Sequence, residues 1–228
     1  MIATLFFILH STWALKSRLP SNEEHYLLEV VYTAASCIEN KYSGYKVKDD
    51  VNPFTIVSLQ PMKTPMNGST FCDPSYHYTG EEVAEIDTIS ADWMEELPTV
   101  ENSRAEAAVK YGTCALDALG DMSQYFKEAV KLHRFANLSK ALEDARIKPS
   151  PSPVSVVNVW NAWKAKLRFN ALTECRSFEG QSILYKVFIV VNSQFRVIEP
   201  PIEYKRKYNQ LCPNVIRVPA IPDYCLAG

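Results

Sequence analysis

The residues best suited to chemistry lie close together near the middle of this 228-residue chain. Residues 110–114, with the sequence KYGTC, place an ammonium group beside a phenol, and Glu106 stands four positions before Lys110. On a helix, a glutamate and a lysine at this spacing form a surface ion pair. Lys110 therefore has two interpretations, either as a phosphate ligand or as a lysine that favours the negative end of a helix dipole. Tyr111 is a poor general base at neutral pH because the unperturbed pKa of tyrosine is about 10.

Histidine is the usual proton-transfer residue near neutral pH, and the chain contains four: His10, His25, His77 and His133. His10 falls in an apolar N-terminal segment, His25 at the start of a predicted strand, and His133 in a predicted helix. His77 falls in a predicted loop and is the one conceivable substitute for a missing catalytic group. A solvated loop histidine is the simpler interpretation.

Composition and cysteine usage indicate a secreted globular protein. The formal net charge of -2 gives none of the basic excess that nucleic-acid-binding proteins usually show. A short apolar run is followed by small residues, so we interpret residues 1–14 as a signal peptide, with a buried first strand or helix as the alternative. The six cysteines are widely spaced and none form a C-x-x-C pair, which favours disulfides over zinc. Sequons at Asn67 and Asn137 predict glycosylation on the secretory route. We expect no metal, no cofactor and no membrane span.

Hydrophobic periodicity and turn residues predict the elements that must position these groups. Strands are predicted at residues 26–35, 53–61, 172–175, 183–191 and 215–218, with Pro61 ending the second. Helices are predicted at residues 79–97, 101–116 and 122–136, from 137 or 139 to 145, and at 154–169. Residues 149–153 are predicted to form a linker, and the basic run at residues 205–207 a loop that is either a polyanion-binding patch or solvated surface. Strands, then helices, then strands indicate an α+β fold with a central antiparallel sheet flanked by several helices.

Two segments resemble the conserved boxes of the ribonuclease T2 family. The sequence PFTIVSLQP at residues 53–61 resembles F-T-I-H-G-L-W-P, and residues 110–114 resemble the end of F-W-x-H-E-W-x-K-H-G-T-C. Cys72-Asp73-Pro74 is similar to the family cysteine after the first box, and residues 172–191 are similar to the late strands around another. The resemblance covers most of the chain and implies that residues 15–228 form a single ribonuclease T2-like domain.

Members of this family cleave RNA by transphosphorylation, with two histidines as acid and base. A third histidine, a glutamate and a lysine stabilise the charged transition state. By this resemblance, Val57 occupies the histidine position of the first box, and Tyr111 occupies the second catalytic histidine position. Glu106 stands at the remaining histidine position and Ala107 at the glutamate position, whereas Lys110 is retained.

Other box positions have also changed. Ser58 and Gln60 stand where the first box has glycine and tryptophan, and Arg104 and Ala108 stand at the two tryptophan positions of the second box. Positions with a structural role match the family pattern better than positions with a chemical role do. The resemblance implies the disulfides Cys72–Cys114 and Cys175–Cys212, which leaves Cys37 to pair with Cys225.

We therefore expect a secreted, monomeric T2-like protein that is catalytically inactive and binds an unknown protein or receptor partner. The first alternative is a residual or altered T2 endonuclease that uses Glu106, Lys110, Tyr111 and His77. The second is a non-catalytic RNA-binding protein, for which the loss of the box tryptophans is unfavourable because single-stranded bases stack on aromatic side chains. Salt-dependent RNA binding distinguishes an RNA-binding protein from a protein-binding one.

Overall fold

The computed structural model of the chain describes residues 25–41, 46–47, 52–64, 66–87, 89–93, 103–208 and 210–226. The predicted signal peptide, residues 1–14, and His10 lie outside these ranges. Seven strands occur in the described residues: β1 His25–Tyr32, β2 Phe54–Thr64, β3 Asn67–Gly68, β4 Ser150–Ser155, β5 Leu172–Phe178, β6 Gln181–Asn192 and β7 Val215–Val218. The α-helices are α1 Thr33–Glu39, α2 Ile89–Asp92, α3 Ser103–Lys110, α4 Leu116–Leu119, α5 Met122–Ala136, α6 Leu138–Asp144, α7 Val156–Leu167 and α8 Ile202–Tyr208. Short 3-10 helices span Glu81–Val83, Gly112–Cys114 and Asp223–Cys225.

All seven strands belong to one sheet, in the order β3-β2-β1-β6-β7-β4, and β5 pairs with β6. The strands β1 and β6 lie at its centre, as expected from their nearly continuous apolar sequences, and every residue of β1 is buried. The pairs are antiparallel except for β6 and β7, which meet in parallel at Ile183 and Arg217. The sheet is therefore mixed rather than purely antiparallel, and the α+β class is confirmed.

The hydrophobic core has two parts because side chains alternate between the faces of a strand. Leu28 belongs to the main cluster, which also contains Trp93 and Trp163. The neighbouring residue Leu27 belongs to a smaller cluster on the opposite face, together with Tyr204 from α8. The sheet is thus covered on both faces, which accounts for the apolar character of its central strands.

Several predicted boundaries were wrong, and proline accounts for three of them. Strand β2 continues through Pro61, whose carbonyl accepts a hydrogen bond from the Ser69 N–H at 3.1 Å. Residues 150–155 form the edge strand β4 rather than a linker; prolines are tolerated there because an edge strand leaves N–H groups unpaired. The basic residues 205–207 lie in helix α8, which begins directly after Pro201, a position where a missing N–H costs nothing.

Three other predicted elements differ from the structure, and the helix predicted at residues 101–116 is one of them, because α3 ends at Lys110 and a 3-10 turn follows. The predicted first strand ends at Tyr32 and its last residues form α1. The helix predicted from Thr79 is replaced by the 3-10 turn Glu81–Val83 and the short α2, although the capping contact exists, since the Glu82 carboxylate accepts from the Thr79 N–H at 3.3 Å. Helices α5 and α6, the latter capped by Asn137, match their predictions.

Three disulfide bonds connect the fold: Cys37–Cys225, Cys72–Cys114 and Cys175–Cys212. They join the same pairs of cysteines as the sequence analysis expects. The first closes a loop of 188 residues and fastens α1 to the C-terminal segment. The second joins the loop after β3 to the turn after α3, so it links the segment that follows the first box to the end of the second box. Within the described ranges, no helix is both long and apolar enough to cross a membrane.

Candidate functional site

The second box segment is carried by α3 and the turn that follows it, and α3 packs against β2. Lys110 Nζ lies 3.4 Å from Glu106 Oε1, which is the ion pair expected from their spacing. The same ammonium lies 5.2 Å from the centre of the Tyr111 ring. Burial opposes the charged form of Lys110, but the Tyr111 hydroxyl and the Glu106 carboxylate raise its pKa overall. Lys110 is therefore a protonated cation at neutral pH, already partly neutralised by its own helix.

Neither residue that the resemblance places at a catalytic histidine position titrates in the range of histidine. Val57 is 6% exposed and belongs to the main core, so an alkyl group fills the first position. At the second position, burial raises the pKa of Tyr111 above its usual value; Lys110 lowers it, and Glu29 and Glu106 raise it further. Ala107, at the glutamate position, is buried and without a functional group.

A buried polar network lies beneath these residues, on the central strands. Glu29 of β1 is 7% exposed, and its carboxylate contacts groups from both neighbouring strands. Lys186 Nζ on β6 lies 2.6 Å from Glu29 Oε1. On β2, Gln60 Nε2 donates to Glu29 Oε2 at 2.6 Å and the Ser58 hydroxyl donates to the same oxygen at 3.2 Å. Ser58 and Gln60, which the resemblance places at the glycine and tryptophan positions of the first box, therefore both donate hydrogen bonds to one carboxylate.

The members of this network bind one another, and its charge also acts on Tyr111 in the second box. Burial disfavours the Lys186 ammonium, but the Glu29 carboxylate raises the pKa of Lys186 overall. The side chains of Glu29 and Lys186 are only 10% and 16% exposed. Each charge has therefore lost most of its hydration, and the attraction of the other charge compensates for that loss. The Glu29 carboxylate also places a negative potential at the Tyr111 phenol, which contributes to the raised pKa of Tyr111. We call Glu29, Ser58, Gln60 and Lys186 the Glu29 network.

Sequence reasoning did not identify Glu29 and Lys186. A signal was available, because each is the one charged residue in an otherwise nearly apolar strand core, YLLEVVY and ILYKVFIVV. A charge in such a strand needs a partner of opposite sign. The two residues are 157 positions apart, so only the pairing of β1 with β6 reveals that they meet.

The loop after β3 is held against the end of α3 by a backbone contact of Phe71. The Phe71 N–H donates to the Lys110 carbonyl at 2.8 Å, and the adjacent Cys72–Cys114 bridge holds this contact. The Phe71 side chain is 53% exposed. Together, Glu106, Lys110, Tyr111, Phe71 and the Glu29 network form what we call the box site.

The histidines in the described residues are engaged elsewhere or lie on the surface. His25 Nε2 lies 2.9 Å from the Tyr204 hydroxyl, and His133 Nδ1 lies 3.1 Å from Asp92 Oδ1, both in buried surroundings. His77 is exposed in the loop, and no hydrogen bond or ion pair in the described part of the chain joins it to Lys110 or Tyr111. No cluster of metal-ligating side chains occurs in that part either.

The remaining predicted positions lie on the surface. Asn67 on β3 and Asn137 are both exposed, and Asn137 Oδ1 caps α6 by accepting from the Lys140 N–H at 3.2 Å. Glycosylation of either residue stays a prediction. On α8, Lys205 forms an ion pair with Glu199, and Arg206 and Lys207 are exposed.

The profile of the ribonuclease T2 family matches residues 23–200. The chain belongs to the ribonuclease T2 family. It is 29% identical to extracellular ribonuclease LE of Solanum lycopersicum over 159 residues, which are 65% of this chain and 67% of that protein. The chain spans at most about two thirds of the length of four curated relatives that it matches.

Solved structures show the same T2 fold. RNase NT, in a complex with 5'-AMP, superposes with a TM-score of 0.72 at 17% identity and covers 87% of this chain and 98% of its own. An RNase-related protein from Calystegia sepium superposes with a TM-score of 0.66 at 16% identity, covering 88% and 99% of the two chains. At these identities the superpositions establish the fold, and the T2-like architecture predicted from the boxes is confirmed.

Proposed function

We propose that this T2-family protein does not cleave RNA by the acid–base chemistry of its family and acts as an extracellular binding or effector protein. One observation carries the proposal. The two catalytic histidine positions hold Val57, which has no proton to move, and Tyr111, whose pKa is raised above its already high value. A general acid or base contributes about 10²–10⁴-fold when its pKa lies near the working pH. The loss of both groups removes most of the rate enhancement available to this mechanism.

The charge distribution of the box site supports the same proposal. A phosphodiester that enters the site carries a negative charge, and its transition state carries more. The cations of the box site are Lys110 and Lys186, and each already has a carboxylate partner, Glu106 and Glu29 respectively. The carboxylates therefore oppose the substrate where a T2 nuclease requires positive charge or hydrogen-bond donors.

Secretion is part of this proposal. Residues 1–14 have the pattern of a signal peptide, and three disulfides are typical of an oxidising compartment. The relative from Solanum lycopersicum is described as extracellular. We propose a glycosylated monomer whose partner is another protein, recognised through a scaffold that no longer turns over RNA.

RNA binding without cleavage is the second candidate, and Phe71 is the observation that favours it. Its ring is exposed and its backbone N–H binds the Lys110 carbonyl, and an exposed aromatic ring is suited to stack a single-stranded base. RNA binding weakens as salt is raised, because cationic side chains displace counterions from the phosphates. Binding to a protein partner at an uncharged surface lacks that dependence.

The test is RNA cleavage by the purified, glycosylated protein from about pH 4 to 8, the range in which a histidine-like group would titrate. The Lys110→Ala/Tyr111→Phe double variant is assayed beside it, with Lys127→Ala on the exposed face of α5 as the matched control. We expect equal, background-level rates for all three proteins. A rate that falls in the double variant alone would show a rebuilt catalytic system and overturn the proposal. Salt-dependent retention of RNA that is lost in Phe71→Ala would favour the second candidate.

A further inference from the structure

A concave site lies at the far end of the central strands, where α1, β4, β7 and the β5–β6 turn meet. It has a volume of about 310 Å³, at the lower end of the range for small-molecule pockets. None of its lining residues belongs to the two box segments. Its walls combine aliphatic and aromatic groups with two cations: Ile38, Ile183, Pro219, Phe178, Tyr224, Lys41 and Arg217 are among them. We call it the Arg217 pocket.

Arg217 is the chemical centre of this pocket. It lies on β7 between the register positions of Ile183 on β6 and Pro153 on β4, so the sheet fixes its backbone. The side chain is half-buried, and no hydrogen bond or ion pair engages its guanidinium among the residues that the structure describes. A guanidinium in such a position is a planar donor suited to a carboxylate.

The balance of charge at the pocket is positive. Arg176 is engaged by the nearby carboxylate Glu39, and Arg176 also stacks on Tyr185, so that carboxylate is not available to Arg217. Glu179 is the one acidic lining residue, and it is exposed at the tip of the β5–β6 turn. The lining therefore contains two basic residues, Lys41 and Arg217, and one acidic residue. Lys41 Nζ lies 5.9 Å from the centre of the Tyr224 ring, so the second cation and the aromatic wall are adjacent.

The aromatic wall is held in place by covalent and backbone contacts. Cys225 follows Tyr224 and is bonded to Cys37, which precedes Ile38 on the opposite wall. Lys46 Nζ donates to the Tyr224 carbonyl at 2.7 Å, and the Val47 N–H donates to the Cys225 carbonyl at 2.7 Å. Preorganised walls lower the entropy cost of binding a small ligand.

We propose that the Arg217 pocket binds a small aromatic carboxylate, with the carboxylate on Arg217 and the flat apolar body between Tyr224 and the aliphatic residues. The guanidinium supplies paired donors for the anion, and the aromatic and proline side chains cover the ring. This site is independent of the box site, and the proposal does not rest on the absence of RNA cleavage.

The test is titration of the full-length, disulfide-bonded protein with 2-naphthoate by NMR or calorimetry. We expect a dissociation constant of about 0.1–1 mM, in line with the efficiency of small ligands. The neutral analogue 2-naphthamide and inorganic phosphate separate the two halves of the proposal, because one lacks the charge and the other lacks the apolar body. Both are expected to bind at least about tenfold more weakly.

Arg217→Gln is expected to weaken 2-naphthoate binding by about tenfold or more, since it removes a charge-assisted pair of hydrogen bonds. Arg196→Gln is the matched control, because Arg196 is exposed and follows the opposite end of β6. Lys41→Gln, at an exposed position, serves as a second variant in case Arg217→Gln disturbs the sheet, and it is expected to weaken binding severalfold. Equal affinity of the wild type, Arg217→Gln and Lys41→Gln would overturn the proposal. So would equal binding of 2-naphthamide or of inorganic phosphate.

Discussion

Replacing Glu29 by glutamine tests whether the Glu29 network is a mutually dependent ion pair. The substitution keeps the size of the side chain and removes its charge. Lys186, whose side chain is only 16% exposed, then loses the carboxylate that lies 2.6 Å away. Removing one partner of a buried pair typically costs about 3–5 kcal/mol, because the other charge is left uncompensated. The residual exposure of Lys186 and its contact with the Tyr185 ring place the expected loss near the lower limit, about 3 kcal/mol.

The double variant Glu29→Gln/Lys186→Met separates the charge from the packing. It removes both charges and keeps a long side chain on β6, so we expect a total loss of about 1–1.5 kcal/mol, from the hydrogen bonds of Ser58 and Gln60 that become weaker. The double variant is therefore expected to be more stable than Glu29→Gln alone. Independent sites would instead give losses that add.

Urea unfolding at pH 7, followed by fluorescence, gives the free energy of unfolding of each variant. Lys140→Met is the matched control, because Lys140 forms its ion pairs with Glu143 and Asp144 at exposed positions of α6 and is expected to change stability by less than about 0.5 kcal/mol. A loss below about 1 kcal/mol for Glu29→Gln, or a double variant less stable than either single variant, would refute the interpretation of the network as a buried, mutually dependent pair.

Two further predictions concern the scaffold. Removing the Cys37–Cys225 bridge by a double alanine substitution is expected to cost about 4–5 kcal/mol, because the loop of 188 residues is shortened by the other two bridges to about 110; a loss under about 2 kcal/mol in urea unfolding would contradict the loop-closure argument. Burial opposes the charged form of Asp92, but hydrogen bonds from His133 and Arg134 lower its pKa below 3.8. The stability from Asp92 is therefore present above its unfolded pKa and lost as pH falls through its lower folded pKa. Asp92→Asn should flatten the loss of stability below about pH 4, and an unchanged pH profile would refute this assignment.

Sequence patterns were most informative where one local property decides the structure. The apolar runs of β1 and β6 predict central strands, because a strand can be apolar along its length only when both faces of the sheet are covered. The apolar residues of segment 122–136 recur at helical spacing, which predicts α5. Proline was misleading in β4 and α8, because its effect depends on whether its missing N–H would have had a partner. Whether that N–H would have a partner depends on whether the proline lies at a sheet edge or at a helix start, and the local sequence does not specify this.

In the candidate site too, contacts between residues close in the chain are predictable from the sequence, and contacts between distant residues are not. The ion pair between Glu106 and Lys110 follows from their spacing on one helix. The pairing of Glu29 with Lys186 does not, because it depends on the register of two strands that are far apart in the chain. The resemblance to the T2 boxes predicts which functional groups are replaced and by which residues, but it gives no information on the contacts that the new side chains make.

The Glu29 network gives a physical reason why this scaffold accommodates polar residues in the first box segment. A polar residue such as Gln60 at a half-buried first-box position would be costly without a partner. Glu29 accepts its hydrogen bond and that of Ser58, and Lys186 balances the charge, so the substitutions compensate one another. A histidine placed at position 111 would lie in the field of the Glu29 carboxylate, as Tyr111 does, so we expect its pKa to be raised unless Glu29 is also replaced.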